Sequence, residues 1–175
     1  MSVVELMILG FLSEEPAHGY KLRKQMAQLS GYARIISDGT LYPAIKRLVQ
    51  AGLIKREPKE PTSTDARQTL AITQAGRARL EGRLSGANGL EITDANKFYV
   101  VMAFLSFLPS RTDRKKVLQR RLNFLDQPAS FFYDGDVPLQ LKDISDPYKR
   151  GILLSARATS RAERAWLKEL IESLE

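Results

Sequence analysis

The sequence predicts a mainly α-helical protein with one small β-hairpin, built as an N-terminal winged helix-turn-helix and a C-terminal helical dimerisation domain. Three observations carry this. Residues 1–84 read in order as three short helices, two strands and a further helix, the arrangement of a winged helix. Ser85-Gly86-Ala87-Asn88-Gly89 is a small, polar break of the kind that separates domains. Residues 90–175 then read as three helical stretches, the last of them long. The expected domains are 1–84, a DNA-binding head, and 90–175, a dimerisation region.

Residues 3–13 are apolar on most sides and predict a buried first helix. Glu14-Glu15-Pro16-Ala17 is a turn. From His18 to about Leu29, Leu22, Met26 and Leu29 recur on one helix face. Gly31 ends that helix. Ser37-Asp38-Gly39-Thr40 supplies caps for the next, which runs to about Ala51 with Leu41, Ile45 and Leu48 as its buried stripe. Pro43 is tolerated only near a helix start, so this start is expected at about Thr40. Leu53 to Glu57 and Gln68 to Thr73 have strand patterns, and Pro58 to Ala66 is a polar tip. Thr73 caps a helix from Gln74 to about Leu84.

In the second half, Thr93 to Leu108 predicts a helix stopped by Pro109. Ser110-Arg111-Thr112-Asp113 resembles a capping box and opens a basic helix to about Asp126. Residues 127–146 read as a loop holding Phe131-Phe132-Tyr133 and Asp134-Gly135-Asp136. The last helix, from about Pro147 to Leu174, would be roughly 40 Å long. Tyr148, Ile152, Ala156, Thr159, Glu163, Trp166, Leu170 and Leu174 fall three or four apart on it. Such a stripe packs either on the neighbouring helices or on a second copy, and its length favours the second copy.

The chain has 175 residues with 27 Lys and Arg against 20 Asp and Glu, a formal net charge of +7. Residues 1–87 hold most of the excess, while ten of the fourteen aromatics lie after them. A positive surplus points to an anionic partner such as nucleic acid. Without cysteine there is no disulfide scaffold or thiolate metal site, and the single histidine, His18, excludes an imidazole-built zinc site. No apolar run has the ~18 residues of a membrane span and no secretory leader is recognisable, so a cytoplasmic protein is expected. Enzyme signatures are missing: no phosphate-cradling glycine loop, no paired histidines and no nucleophile elbow. No catalytic residue, metal or cofactor is expected, and His18 reads as a helix-start or turn residue.

Pro16-Ala17-His18-Gly19-Tyr20, then Ile36-Ser37-Asp38-Gly39-Thr40-Leu41-Tyr42-Pro43-Ala44-Ile45-Lys46-Arg47-Leu48, then Gly52-Leu53-Ile54 and Ile72-Thr73-Gln74-Ala75-Gly76 together resemble the PadR family of transcriptional regulators. The motifs cover about residues 1–80. The remainder resembles the longer members only in layout. The resemblance implies a homodimeric repressor that binds a double-stranded DNA operator, with helical tails making the dimer. It also implies, as in several members, release by a small planar or aromatic effector. The wing departs from the family: Lys59 and Arg67 are balanced by Glu60 and Asp65, and Leu70 lies near the usual aromatic position.

A recognition helix reads base edges with its exposed face. Here Thr40, Tyr42, Lys46, Arg47 and Gln50 occupy that face, with Tyr42 alternatively packing at its flank. Ser37 and Thr40 are candidates both as caps and as phosphate contacts, since a helix N-terminus attracts phosphate. Tyr20, Lys21 and Lys24, on the supporting helix, are candidate backbone contacts, as are Lys59 and Arg67 on the wing. Dimer candidates are Tyr148, Ile152, Ala156, Thr159, Trp166, Leu170 and Leu174. Effector candidates are Phe98, Phe131, Phe132, Tyr133 and Trp166. The alternative from another class is a winged-helix protein–protein adaptor that leaves DNA alone.

Overall fold

Ser2 opens the first helix, α1 (Val3–Glu14), through a reciprocal cap: its hydroxyl accepts the Glu5 N–H at 3.2 Å, and Glu5 Oε2 accepts the Ser2 N–H at 2.9 Å. The apolar run from Leu6 to Leu12 makes this helix the hub of an N-terminal unit, with all but Phe11 of those residues buried. The computed structural model describes residues 2–31, 36–57, 68–127 and 131–174. The chain divides into two compact units, residues 1–114 and 115–175.

In the first unit α1 is followed by β1 (Ala17–His18), α2 (Gly19–Leu29), α3 (Asp38–Gln50), β2 (Ile54–Arg56), β3 (Thr69–Ile72) and α4 (Gln74–Ser85). The sheet order is β1-β3-β2, all antiparallel, with Ala17 opposite Leu70 and Ile54 opposite Ile72. β1 is not expected from the sequence. Two residues carry too little pattern to announce a strand, and only its pairing with β3 defines it. Helices α2 and α3 and a sheet capped by α4 form a winged helix. Thr73 ties its parts together: its N–H and hydroxyl both donate to the Leu53 carbonyl, while its oxygen accepts the Gly76 N–H that starts α4. Gly76 has to be glycine because a Cβ there would run into the Leu53 carbonyl.

Two expectations for α3 need correction. The helix begins at Asp38, not about Thr40, and Pro43 is therefore its sixth residue. The start moves back because the Thr40 and Leu41 N–H groups both donate to the Ser37 carbonyl, each at 3.0 Å. The bond Pro43 cannot donate would have gone to Gly39, whose position is exposed, so solvent serves that carbonyl.

After α4 come α5 (Leu90–Thr93) and α6 (Ala95–Phe104), then a 3₁₀ turn at Leu105–Phe107. The single helix expected over 93–108 is broken at Asp94, whose carboxylate caps α6 by accepting the Lys97 N–H at 3.0 Å. The first unit extends past the expected linker 85–89 because α6 packs on α1. Phe104 meets Phe11 edge-on at 5.0 Å and presses on Gly10, where any Cβ would strike its ring.

The second unit follows from α7 (Arg111–Leu125), whose start Ser110 caps by accepting the Asp113 N–H at 3.1 Å. The expected loop 127–146 contains a short hairpin, β4 (Tyr133–Asp134) and β5 (Val137–Pro138), and a 3₁₀ turn at Leu141–Asp143. Gly135, at φ 58, makes the two-residue turn, a signal present in Asp134-Gly135-Asp136. α8 (Pro147–Glu172) completes the chain. Its buried residues are Leu153, Leu167 and Ile171, a stripe that differs from the one the sequence spacing predicts. Glu163, counted with the outer stripe, instead receives a two-pronged bond from buried Arg121, Nε to Oε1 at 2.7 Å and Nη2 to Oε2 at 2.9 Å. Tyr148, Ile152, Thr159 and Trp166 stay exposed, while Ala156, Leu170 and Leu174 are half-buried. Among the described residues no helix is long and apolar enough to cross a membrane, and no group of side chains could hold a metal ion.

Candidate nucleic-acid interface

The apolar spacing of α3 buries Leu41, Ala44, Ile45 and Leu48 and turns the opposite face outward. Thr40, Tyr42, Lys46, Arg47 and Gln50 are all exposed, as the sequence predicts. Lys46 has no ion-pair or hydrogen-bond partner among the described residues, and neither has Lys24 on α2. Arg47 is different. Its Nε donates to Glu5 Oε1 at 2.8 Å, so α1 reaches across to hold it. Burial pushes the Glu5 carboxyl up, but the Ser2 N–H and the Arg47 guanidinium outweigh burial and hold it below its ordinary value.

At the start of α3, Ser37 occupies the cap position without bonding the backbone. Its hydroxyl lies 3.1 Å from that of Thr40. The side-chain cap expected of Ser37 is therefore absent, and both hydroxyls remain exposed at the helix N-terminus.

The two motifs separated by some twenty residues meet here. His18 caps α2, its Nδ1 accepting the Lys21 N–H at 3.1 Å, which places the proton of a neutral ring on Nε2. Gly19 leaves room for Tyr42, since a Cβ on it would stand 3.1 Å from the tyrosine ring. Tyr42 thus packs on α2 and still remains 53% exposed, so the two readings of this residue are compatible. Tyr20, 51% exposed, has the Arg23 guanidinium 5.6 Å from its ring centre. Arg23 also donates to Asp38 at 2.9 Å, joining α2 to α3. These residues, with Arg56 of β2 and Gln68 just before β3, line a cleft of about 370 Å³. Lys21 pairs with Glu15 at 2.7 Å.

Sequence reasoning misses Arg23, Lys55 and Arg56. From its spacing Arg23 reads only as helix surface. Lys55 and Arg56 lie in a three-residue strand and are exposed, and the available signal is two adjacent bases next to the wing. Lys59 and Arg67 lie outside the described residues. Among effector candidates, Phe98 is buried in the first unit and Trp166 stands half-exposed on α8. Phe131, Phe132 and Tyr133 line a separate cavity within the second unit. An exposed α3 face with hydroxyl, aromatic, cationic and amide groups can pair with base edges and phosphates.

Residues 8–82 match the profile of the transcriptional regulator PadR-like family. Among solved structures, the chain is similar to a transcriptional regulator from Clostridium thermocellum, at 30% identity over 45% of this chain and 76% of that one, with a TM-score of 0.41. It is similar to Bacillus subtilis PadR in complex with operator DNA, at 18% identity over 99% and 98% of the two chains, with a TM-score of 0.47. It is also similar to Bacillus subtilis PadR in complex with p-coumaric acid, at 19% identity over 99% of each chain, with a TM-score of 0.44. A comparison with curated proteins returns no match.

Proposed function

The chain belongs to the transcriptional regulator PadR-like family, and on that footing we propose that it is a repressor acting as a homodimer on an inverted-repeat operator. Each protomer lays α3 in a major groove, with Lys46, Arg47, Thr40, Tyr42 and Gln50 toward the bases and adjoining phosphates. Tyr20, Lys21, Lys24 and Ser37, joined by Arg23 and Arg56, hold the duplex backbone, and Lys59 and Arg67 follow at the wing tip. The observation that carries this reading is the exposed face of α3 opposite a fully buried stripe on a helix-turn-helix. The exposed Tyr148, Ile152 and Trp166 support α8 as the dimer contact, because large apolar side chains left in water favour a partner. A small aromatic compound releases the DNA by binding one arrangement of the dimer better than the other.

The test is a fluorescence-anisotropy titration of the protein against the promoter fragment upstream of its own coding sequence. Six to ten phosphate contacts per dimer would lower affinity by roughly 10³–10⁵ between 50 and 200 mM salt. Lys46→Ala, which removes one cation from each protomer, should weaken binding and reduce the salt slope of the dimer by about two. Ile152→Lys should shift sedimentation toward the monomer. A flat salt response with no retained DNA would instead favour the adaptor.

A further inference from the structure

The cavity in the second unit has a chemistry of its own. It measures about 370 Å³ and lies between the β4–β5 hairpin, the 3₁₀ turn and the start of α8. Its walls include Phe131, Phe132 and Tyr133 on one side and Asp143, Asp146 and Lys149 on another. Phe131 and Tyr133 are more than half exposed, an unusual state for two large rings beside an open cavity.

Charge decides what such a cavity takes. The chain as a whole is strongly basic, yet residues 126–149 carry five aspartates against two lysines. Both lining carboxylates are fixed in place by backbone bonds. Asp143 Oδ2 accepts the Gln140 N–H at 3.0 Å, and Asp146 Oδ1 accepts the Tyr148 and Lys149 N–H groups at 2.8 and 3.2 Å. Among the described residues each carboxylate keeps its second oxygen for something else. An anionic ligand would face two held carboxylates and a single ammonium. A cation faces negative oxygens and a wall of three aromatic rings, with the Phe132 face open to it. One cation already uses the site: Lys149 Nζ lies 5.9 Å from the centre of the Phe132 ring.

We propose that this cavity binds a cationic aromatic small molecule, with Phe132 and its neighbouring rings receiving the cation, Asp143 and Asp146 balancing its charge, and Lys149 as the built-in competitor that the ligand displaces. Its place as an effector site rests on the regulator reading above, but the binding itself does not. Displacing Lys149 at the first turn of α8 gives the ligand a handle on the helix assigned to the dimer contact.

The experiment is isothermal titration of the full chain with benzyltrimethylammonium, and with phenylacetate as its anionic counterpart. The cation should bind and the anion should not. Phe132→Leu keeps apolar bulk but removes the ring face, and should weaken the cation about two- to five-fold. Lys149→Gln should tighten it by a similar factor. Should Phe132→Leu fail to fold by circular dichroism, the exposed Lys149→Gln carries the test alone. Phenylacetate binding as well as the cation, or Lys149→Gln leaving cation binding unchanged, overturns the proposal. Operator affinity measured without either compound is a separate readout. Sound DNA binding with no selectivity for the cation sinks this site alone, and cation binding without any DNA binding sinks the regulator reading alone.

Discussion

Glu5→Gln asks whether α1 restrains the recognition helix. Arg47 Nε donates to Glu5 Oε1 at 2.8 Å, with side-chain exposures of 58% and 13%. The arginine half of the pair is well solvated, so the contact is worth about 0.2–1 kcal/mol rather than several. A phosphate that takes the guanidinium away from Glu5 loses that amount. Glutamine keeps the length of the side chain and the reciprocal cap with Ser2, which accepts Glu or Gln at this position. Its single carbonyl oxygen stays with the Ser2 N–H, so both the charge and the oxygen that accepts from Arg47 are lost. With one such pair in each protomer of the dimer, operator affinity should therefore rise roughly 2- to 30-fold in the Glu5→Gln variant. Arg47→Ala should weaken binding, and Glu5→Gln added to Arg47→Ala should gain nothing further. Anisotropy titrations of the four proteins close the cycle. If Glu5→Gln improves affinity as much without Arg47 as with it, the effect comes from the general field of the carboxylate. If it weakens affinity, the idea of a restrained arginine is wrong.

The same carboxylate sets a pH dependence. Its pKa is lowered from 4.5 on folding, so its contribution is full above that value and disappears as pH falls through the lower folded value. Thermal unfolding should show wild type above Glu5→Gln near neutral pH, with the two converging as pH falls through the lowered folded value; a constant gap would contradict the assignment. Gly10→Ala drives a methyl into the Phe104 ring and should cost about 1–3 kcal/mol by chemical denaturation, with little effect if the ring can simply rotate aside. Breaking the Arg121–Glu163 pair with Glu163→Ala removes the two-pronged carboxylate from a buried guanidinium and should cost about 3–5 kcal/mol, whereas Arg121→Met with Glu163→Leu should recover most of it. Equal losses in the single and double variants would show that packing, not charge, is at stake.

Local pattern was enough for the winged helix. The spacing of Leu41, Ile45 and Leu48 makes α3 and its outward face legible, and with them the exposure of Thr40, Tyr42, Lys46, Arg47 and Gln50. Thr73 before Gln74 and Gly31 after Leu29 mark helix ends in the same way, because caps act within three or four residues. Asp134-Gly135-Asp136 also holds a turn signal, but the two-residue strands beside it have no periodicity to turn that signal into a hairpin.

What the sequence alone determined is the order of the main helices and of the two wing strands, the buried stripe of α3 and the side chains opposite it, since these follow from the repeats of helix and strand and from short-range capping. Tertiary structure alone decided which of those side chains are already engaged. Arg47 with Glu5, and Arg121 with Glu163, are each 42 residues apart. Tyr42 finds its seat on Gly19. The boundary of the first unit likewise depends on Phe104 reaching Phe11. A single-chain pattern records which face a residue takes on its own helix. It does not record what another element brings up against that face, because that depends on how distant helices cross.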